Sequence, residues 1–90
     1  MSVVSKVFGL LGIDVNTLER ESLKVYLKKK MREYNAEMLE ILNKYSVKSA
    51  EELYKSGKLD EVNTIDDFFK LDYLESQIEK IKAALRKLGD

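Results

Sequence analysis

Apolar positions recur with a helical period along most of this chain. Leu23, Leu27, Met31, Tyr34, Met38, Ile41 and Tyr45 are separated by four, four, three, four, three and four residues. At 3.6 residues per turn they fall in one stripe roughly 80° wide. No glycine or proline interrupts the stretch. The pattern predicts one long helix over 17–45, with a coiled-coil-like seam that the rest of the chain must cover. Asn16, with Glu19 three residues on, reads as its capping box. A second, thinner apolar set lies half a turn from the first: Leu18, Val25, Ala36 and Leu39.

A second seam follows near the C-terminus. Leu71, Leu74, Ile78, Ile81, Leu85 and Leu88 are spaced three, four, three, four and three apart, matching the first seam in kind. The expected helix spans 65–88, and Gly89 ends it. Ile65, Phe68 and Phe69 point away from this seam if the helix is continuous. The helix therefore either breaks near 70–72, with Asp72 and Glu75 capping a fresh start, or packs these residues elsewhere. A satellite cluster with Leu53, Tyr54, Leu59 and Val62 at the hairpin's turn is expected to take them.

Between the two seams, Ser49-Ala50-Glu51-Glu52 is a capping box for a short helix over 50–56, closed by Gly57. Thr64 with Asp67 reads as the cap of the last helix. At the N-terminus, Val3, Val4, Val7, Phe8 and Leu11 recur at helical spacing, and Gly12 is a stop. This short helix over 3–11 is almost wholly apolar. A helix this short is unstable alone, so it must dock on its own domain, on a second subunit or on another protein.

The predicted architecture is all-α: an antiparallel αα-hairpin of two long helices, with a short N-terminal helix and a short turn-region helix. Two long helices make a thin core. A homodimer that closes a four-helix bundle is therefore expected, using Val3, Val4, Val7, Phe8 and Leu11 with the Leu18, Val25 and Leu39 face.

Composition narrows the chemistry. The 90 residues suit one domain. Charged residues make up 36%, with 16 basic balancing 16 acidic, and the 44% apolar content is too high for a disordered chain. There is no Cys and no His. That removes disulfides, thiol nucleophiles, imidazole bases and ordinary zinc sites. The composition suits a cytoplasmic protein. The N-terminal apolar run is broken by Ser5, Lys6, Gly9 and Gly12, so it is read neither as a signal peptide nor as a membrane span.

Arg20, Lys24, Lys28, Lys29, Lys30 and Arg32 place six positive charges in thirteen residues, against Glu21 alone. This stretch is a candidate nucleic-acid contact. The lysine triplet spreads around a helix, and no aromatic interleaving supports base stacking. A solvated helix face is the plainer reading. The acid-rich segment 50–79 is expected to complement the basic stretch, within one chain or between two.

No catalytic, cofactor-binding or metal-ligating set emerges. Adjacent acids such as Asp66 and Asp67 point about 100° apart on a helix and make no site alone. Calcium loops need a spacing and a glycine that are missing. Small helical chorismate mutases share this length and use arginines on a long helix; Arg20 and Arg32 are present here, and the rest of that pattern is not. No enzyme is expected.

The segment Lys44-Tyr45-Ser46-Val47-Lys48-Ser49-Ala50-Glu51-Glu52-Leu53-Tyr54, followed by Gly57, Asp66-Asp67-Phe68 and Leu74-Glu75, resembles a pattern in small archaeal helical proteins. In these a long helix leads into a Lys-Tyr turn, a glycine-containing linker and a final helix. Some are antitoxin-like. The resemblance covers roughly the C-terminal half and implies the helical fold, with no catalytic residue. The glycine usual after Lys-Tyr is replaced by Ser46, and a common linker proline is missing. The leading expectation is a non-enzymatic protein-interaction module or small scaffold with a protein partner. The alternative is a nucleic-acid-binding helical dimer using residues 20–32.

Overall fold

A computed structural model describes residues 3–89, and the side chains of Val4 and Ser5 lie outside the described set. Four helices follow in order: α1 (Val3–Leu10), α2 (Val15–Tyr45), α3 (Ala50–Lys55) and α4 (Val62–Lys87). No strand occurs among the described residues. The two long helices α2 and α4 pack as the expected hairpin, and α3 packs on α4 at the turn.

Each helix end has a local cause. α1 closes in a Schellman motif, with Gly12 at φ 69°: the Ile13 amide donates to the Phe8 carbonyl, and the Gly12 amide to that of Gly9. α2 starts two residues earlier than the Asn16–Glu19 pair suggested. Its cap is Asp14, whose carboxylate accepts from the Asn16 amide and the Thr17 hydroxyl. These bonds, the Thr17 hydroxyl first, hold the Asp14 carboxyl below its usual pKa. α2 ends in a second Schellman motif, in which the Val47 amide reaches the Leu42 carbonyl at 3.0 Å. Here Ser46 occupies the left-handed position, at φ 54°.

α3 is capped as its sequence indicates. Ser49 Oγ accepts from the Glu52 amide, while the Glu52 carboxylate turns back to the Lys48 amide rather than to that of Ser49. A contact across the fold completes the end: Glu75 on α4 accepts the Ala50 amide at 2.8 Å.

α4 departs from expectation in two ways. It is continuous from Val62 to Lys87, with no break near 70–72 and no fresh cap at Asp72. Thr64 is no cap; it sits inside the helix and is buried. The helix stays whole because Leu71 and Leu74 lie on the inner face at the turn, where α3 and the end of α2 cover them.

The core is concentrated at that turn. Leu53, Leu71 and Leu74 are fully buried, with Ile41, Leu42 and Ala50 around them and Tyr34, Met38, Tyr45, Val47, Leu59 and Phe68 at the edge. Burying each leucine is worth about 1.5–3 kcal/mol. Leu53, Leu59 and Phe68 thus join the main core rather than a satellite cluster. Tyr54, Val62 and Phe69 stay exposed.

The α4 seam is the better covered of the two. Leu71, Leu74, Ile78, Ile81 and Leu85 are all buried, whereas in the long stripe of α2 Ile41 is buried, Leu27 to Met38 are half-buried and Leu23 is exposed. Geometry accounts for the gradient. Lys44 and Tyr45 meet Asp67, and Asn35 and Met38 lie beside Ile78, Glu79 and Lys82. Continued at 1.5 Å per residue, this antiparallel register ends α4 opposite about residue 27. The first dozen or so residues of α2, about 18 Å, run past it.

Candidate functional site

α1 offers the strongest candidate surface. Val3 is 76% exposed and Leu10 87%, with Val7, Leu11, Ile13 and Val15 also exposed. Phe8 is half-buried. The helix does not pack into the hairpin core. Docking on its own domain, one of the homes expected for it, is therefore not what the structure shows. The projecting part of α2 continues the apolar surface through Leu23, Val25 and Tyr26. Of the thin outer set, Leu18 is half-buried, while Val25 and Leu39 are exposed. Val4, expected among the contact residues, lies outside the described side chains.

The basic stretch is partly engaged locally. Lys24 pairs with Glu21 at 3.5 Å and Lys30 with Glu33 at 3.4 Å; Lys30 also lies over the Tyr26 ring. The Glu33 carboxylate holds the Lys30 ammonium above its usual pKa. Arg20, Lys29 and Arg32 are exposed, and Lys28 is half-buried with an interaction of its own.

The hairpin corrects the expected charge pairing. Within one chain the acidic segment does not lie beside the basic stretch. The register sets much of it against residues 34–45, and brings Lys80, Lys82, Arg86 and Lys87 to the same end as Arg20–Arg32. Residues 18–33 and 79–88 together hold ten basic and four acidic side chains, net +6. Residues 34–78 hold five basic and ten acidic, net −5. The sequence reading missed the four C-terminal cations. Their crowding into the last turns of α4 was visible, but only the antiparallel register places them with the others.

At the acidic end, Asp67 is a structural tie rather than a cap. Its carboxylate accepts from Lys44 Nζ at 2.8 Å and from the Tyr45 hydroxyl. These bonds hold the Asp67 carboxyl below its usual pKa, and the same contact raises that of Lys44. Exposed Tyr54, Phe69 and Tyr73 surround this end, where Tyr54 and Phe69 both contact the Phe68 ring. A shallow open groove between α2 and α4 is lined by Asn35, Met38, Glu75, Ile78 and Lys82. Among the described residues no three metal-ligating side chains converge, and no helix is long and apolar enough to cross a membrane.

A family model described as "Uncharacterized protein MJ0235 family" matches residues 1–90. The chain belongs to that family. It is 31% identical over 71 residues to "Uncharacterized protein MJ0235" of Methanocaldococcus jannaschii, covering 76% of this chain and 87% of that one. The resemblance to small archaeal proteins therefore holds. No solved structure matches the chain.

Proposed function

We propose that this protein is a non-enzymatic protein-interaction module or small scaffold, antitoxin-like in kind, working in the cytoplasm. The observation that carries this reading is α1: an almost wholly apolar helix with Val3, Val7, Leu10 and Leu11 exposed. Holding such a surface in water is unfavourable by about 25 cal/mol for each Å² that a partner would cover. The rest of the molecule, a hairpin anchored at its turn, carries α1 at the projecting end of α2. The missing imidazole and thiol groups fit a binding role better than a catalytic one.

The test is a pull-down from lysate of the source organism, comparing the full chain with one lacking residues 1–13. A specific protein captured by the full chain and lost on truncation supports the module. The same protein captured by both chains sinks α1 as the binding element.

A second reading has its own observation. The hairpin adds Lys80, Lys82, Arg86 and Lys87 to the six cations of the basic stretch, enlarging a surface suited to nucleic-acid phosphates. Fluorescence anisotropy with a short duplex tests it. Affinity must fall steeply with salt and weaken when Arg20, Lys29 and Arg32 become Glu. Binding indifferent to both rejects it.

A further inference from the structure

We propose that the occupant of the exposed apolar surface is a second copy of this chain, laid antiparallel. The basic, α1-bearing end of each copy then rests on the acidic turn end of the other. This rests on the interaction-module reading and names its partner.

Three observations converge. The first is shape. The molecule measures 60 × 23 × 18 Å, with a radius of gyration of 19.1 Å. A compact chain of this length has a radius of about 12 Å. The second is area. The accessible surface is 6710 Å², whereas a compact monomer of 10.4 kDa exposes about 5,400 Å². The excess of about 1,300 Å² exceeds the roughly 800 Å² that each partner contributes to a standard stable interface. One chain carries enough uncovered surface for a dimer contact.

The third observation is charge, and it selects the orientation. The net +6 at one end and net −5 at the other sit on a chain that is neutral overall. Parallel pairing sets like charges together at both ends. Antiparallel pairing sets basic on acidic twice, around one two-fold axis. The apolar residues are distributed to suit: Leu10, Leu11, Val25 and Tyr26 project at the basic end, while Tyr54 and Phe69 are exposed at the acidic end. The contact repeats identically at both ends and closes, so it gives a finite pair rather than a filament.

A charge-swap experiment tests the arrangement. One variant carries Arg20→Glu, Lys29→Glu and Arg32→Glu; a second carries Asp60→Lys, Asp66→Lys and Asp72→Lys. All six positions are exposed. Light scattering on a sizing column should give the wild type at twice its 10.4 kDa chain mass. Each variant alone should run at one chain mass, with its dissociation constant raised at least tenfold. An equimolar mixture of the two should return to twice the chain mass, because each reversed end then faces a reversed partner. Far-ultraviolet circular dichroism confirms that both variants remain helical. Leu10→Ser with Leu11→Ser, which leaves charge unchanged, should also weaken the pair.

The proposal is overturned by a wild type that stays at one chain mass at millimolar concentration. It is equally overturned by helical variants that remain paired, by a mixture that fails to recombine, or by a mass that grows without limit as concentration rises. A monomeric wild type that still loses a captured protein on removal of residues 1–13 overturns the second copy as occupant and leaves the module reading standing. A monomer that binds only duplex DNA or RNA overturns both.

Discussion

At the turn of the hairpin, three helices converge on Leu53, Leu71 and Leu74, and polar side chains tie the corner from outside. At the opposite end, α2 runs on past the last turn of α4, with Leu23, Val25 and Tyr26 facing solvent and α1 beyond them. Both regions are helical and rich in apolar residues. They differ in whether a second element is present to cover the stripe. An amphipathic helix is stabilised mainly by what packs on it. The turn end therefore holds most of the stability of the single chain, and the open end, with its stripe uncovered, contributes little of it.

Leu71→Ala breaks the contrast most strongly. It removes a fully buried side chain from the corner and should lower stability by about 3 kcal/mol in urea denaturation. A loss below about 1 kcal/mol, the size of an exposed-site effect, would mean that the corner is not the anchor.

Asp67→Asn should cost about 1 kcal/mol at neutral pH, since it weakens charge-assisted bonds to Lys44 and Tyr45 at a partly exposed site. The pH dependence has a definite sign. The folded-state pKa of Asp67 lies below its ordinary value of 3.8. Its contribution is thus fully present above that value and is lost as pH falls through the depressed pKa. Melting curves of wild type and variant should converge in acid; a gap that persists there would show that Asp67 acts through packing.

Ser46→Gly sharpens the comparison from the other side. A side chain in the left-handed region is strained, and glycine removes that strain at an entropic cost. The net gain should be somewhat under 1 kcal/mol in thermal melting. A loss would mean that the serine side chain does more at this corner than its backbone conformation implies. The smallest effect belongs to the open end. Val25→Ala should change stability by less than about 0.5 kcal/mol at concentrations where the chain is monomeric. Amides near residues 15–26 should also exchange faster than those near 34–45 in the monomer. Equal protection at the two ends of α2 would erase the contrast.

The fold was legible in the sequence where periodicity is long and unbroken. The two seams, the Gly12 stop and the Ser49 cap specify their elements through local spacing and local hydrogen bonding. The continuity of α4 was not legible, because Ile65, Phe68 and Phe69 leave the seam and local spacing cannot show which neighbour receives them. Asp67 misled for a related reason. An acid three residues after a threonine has the spacing of a cap, but its true partners stand 22 and 23 positions earlier on α2. The apolar character of α1 was plain from its composition, whereas its separation from the hairpin core was not. For the candidate site, the basic stretch was visible residue by residue. The ten-cation end and its acidic counterpart exist only once the register has sorted the charges.

The bond from Glu75 to the Ala50 amide bears on the order in which the chain can fold. α3 has six residues, too few to persist alone, and its first buried amide is satisfied by a carboxylate 25 positions later. Its inner residue, Leu53, is covered by the same helix that supplies Glu75. The corner is therefore not a preformed elbow that directs the two long helices together. It takes shape as they meet, so a probe placed at Tyr54 would record the closing of the hairpin rather than precede it.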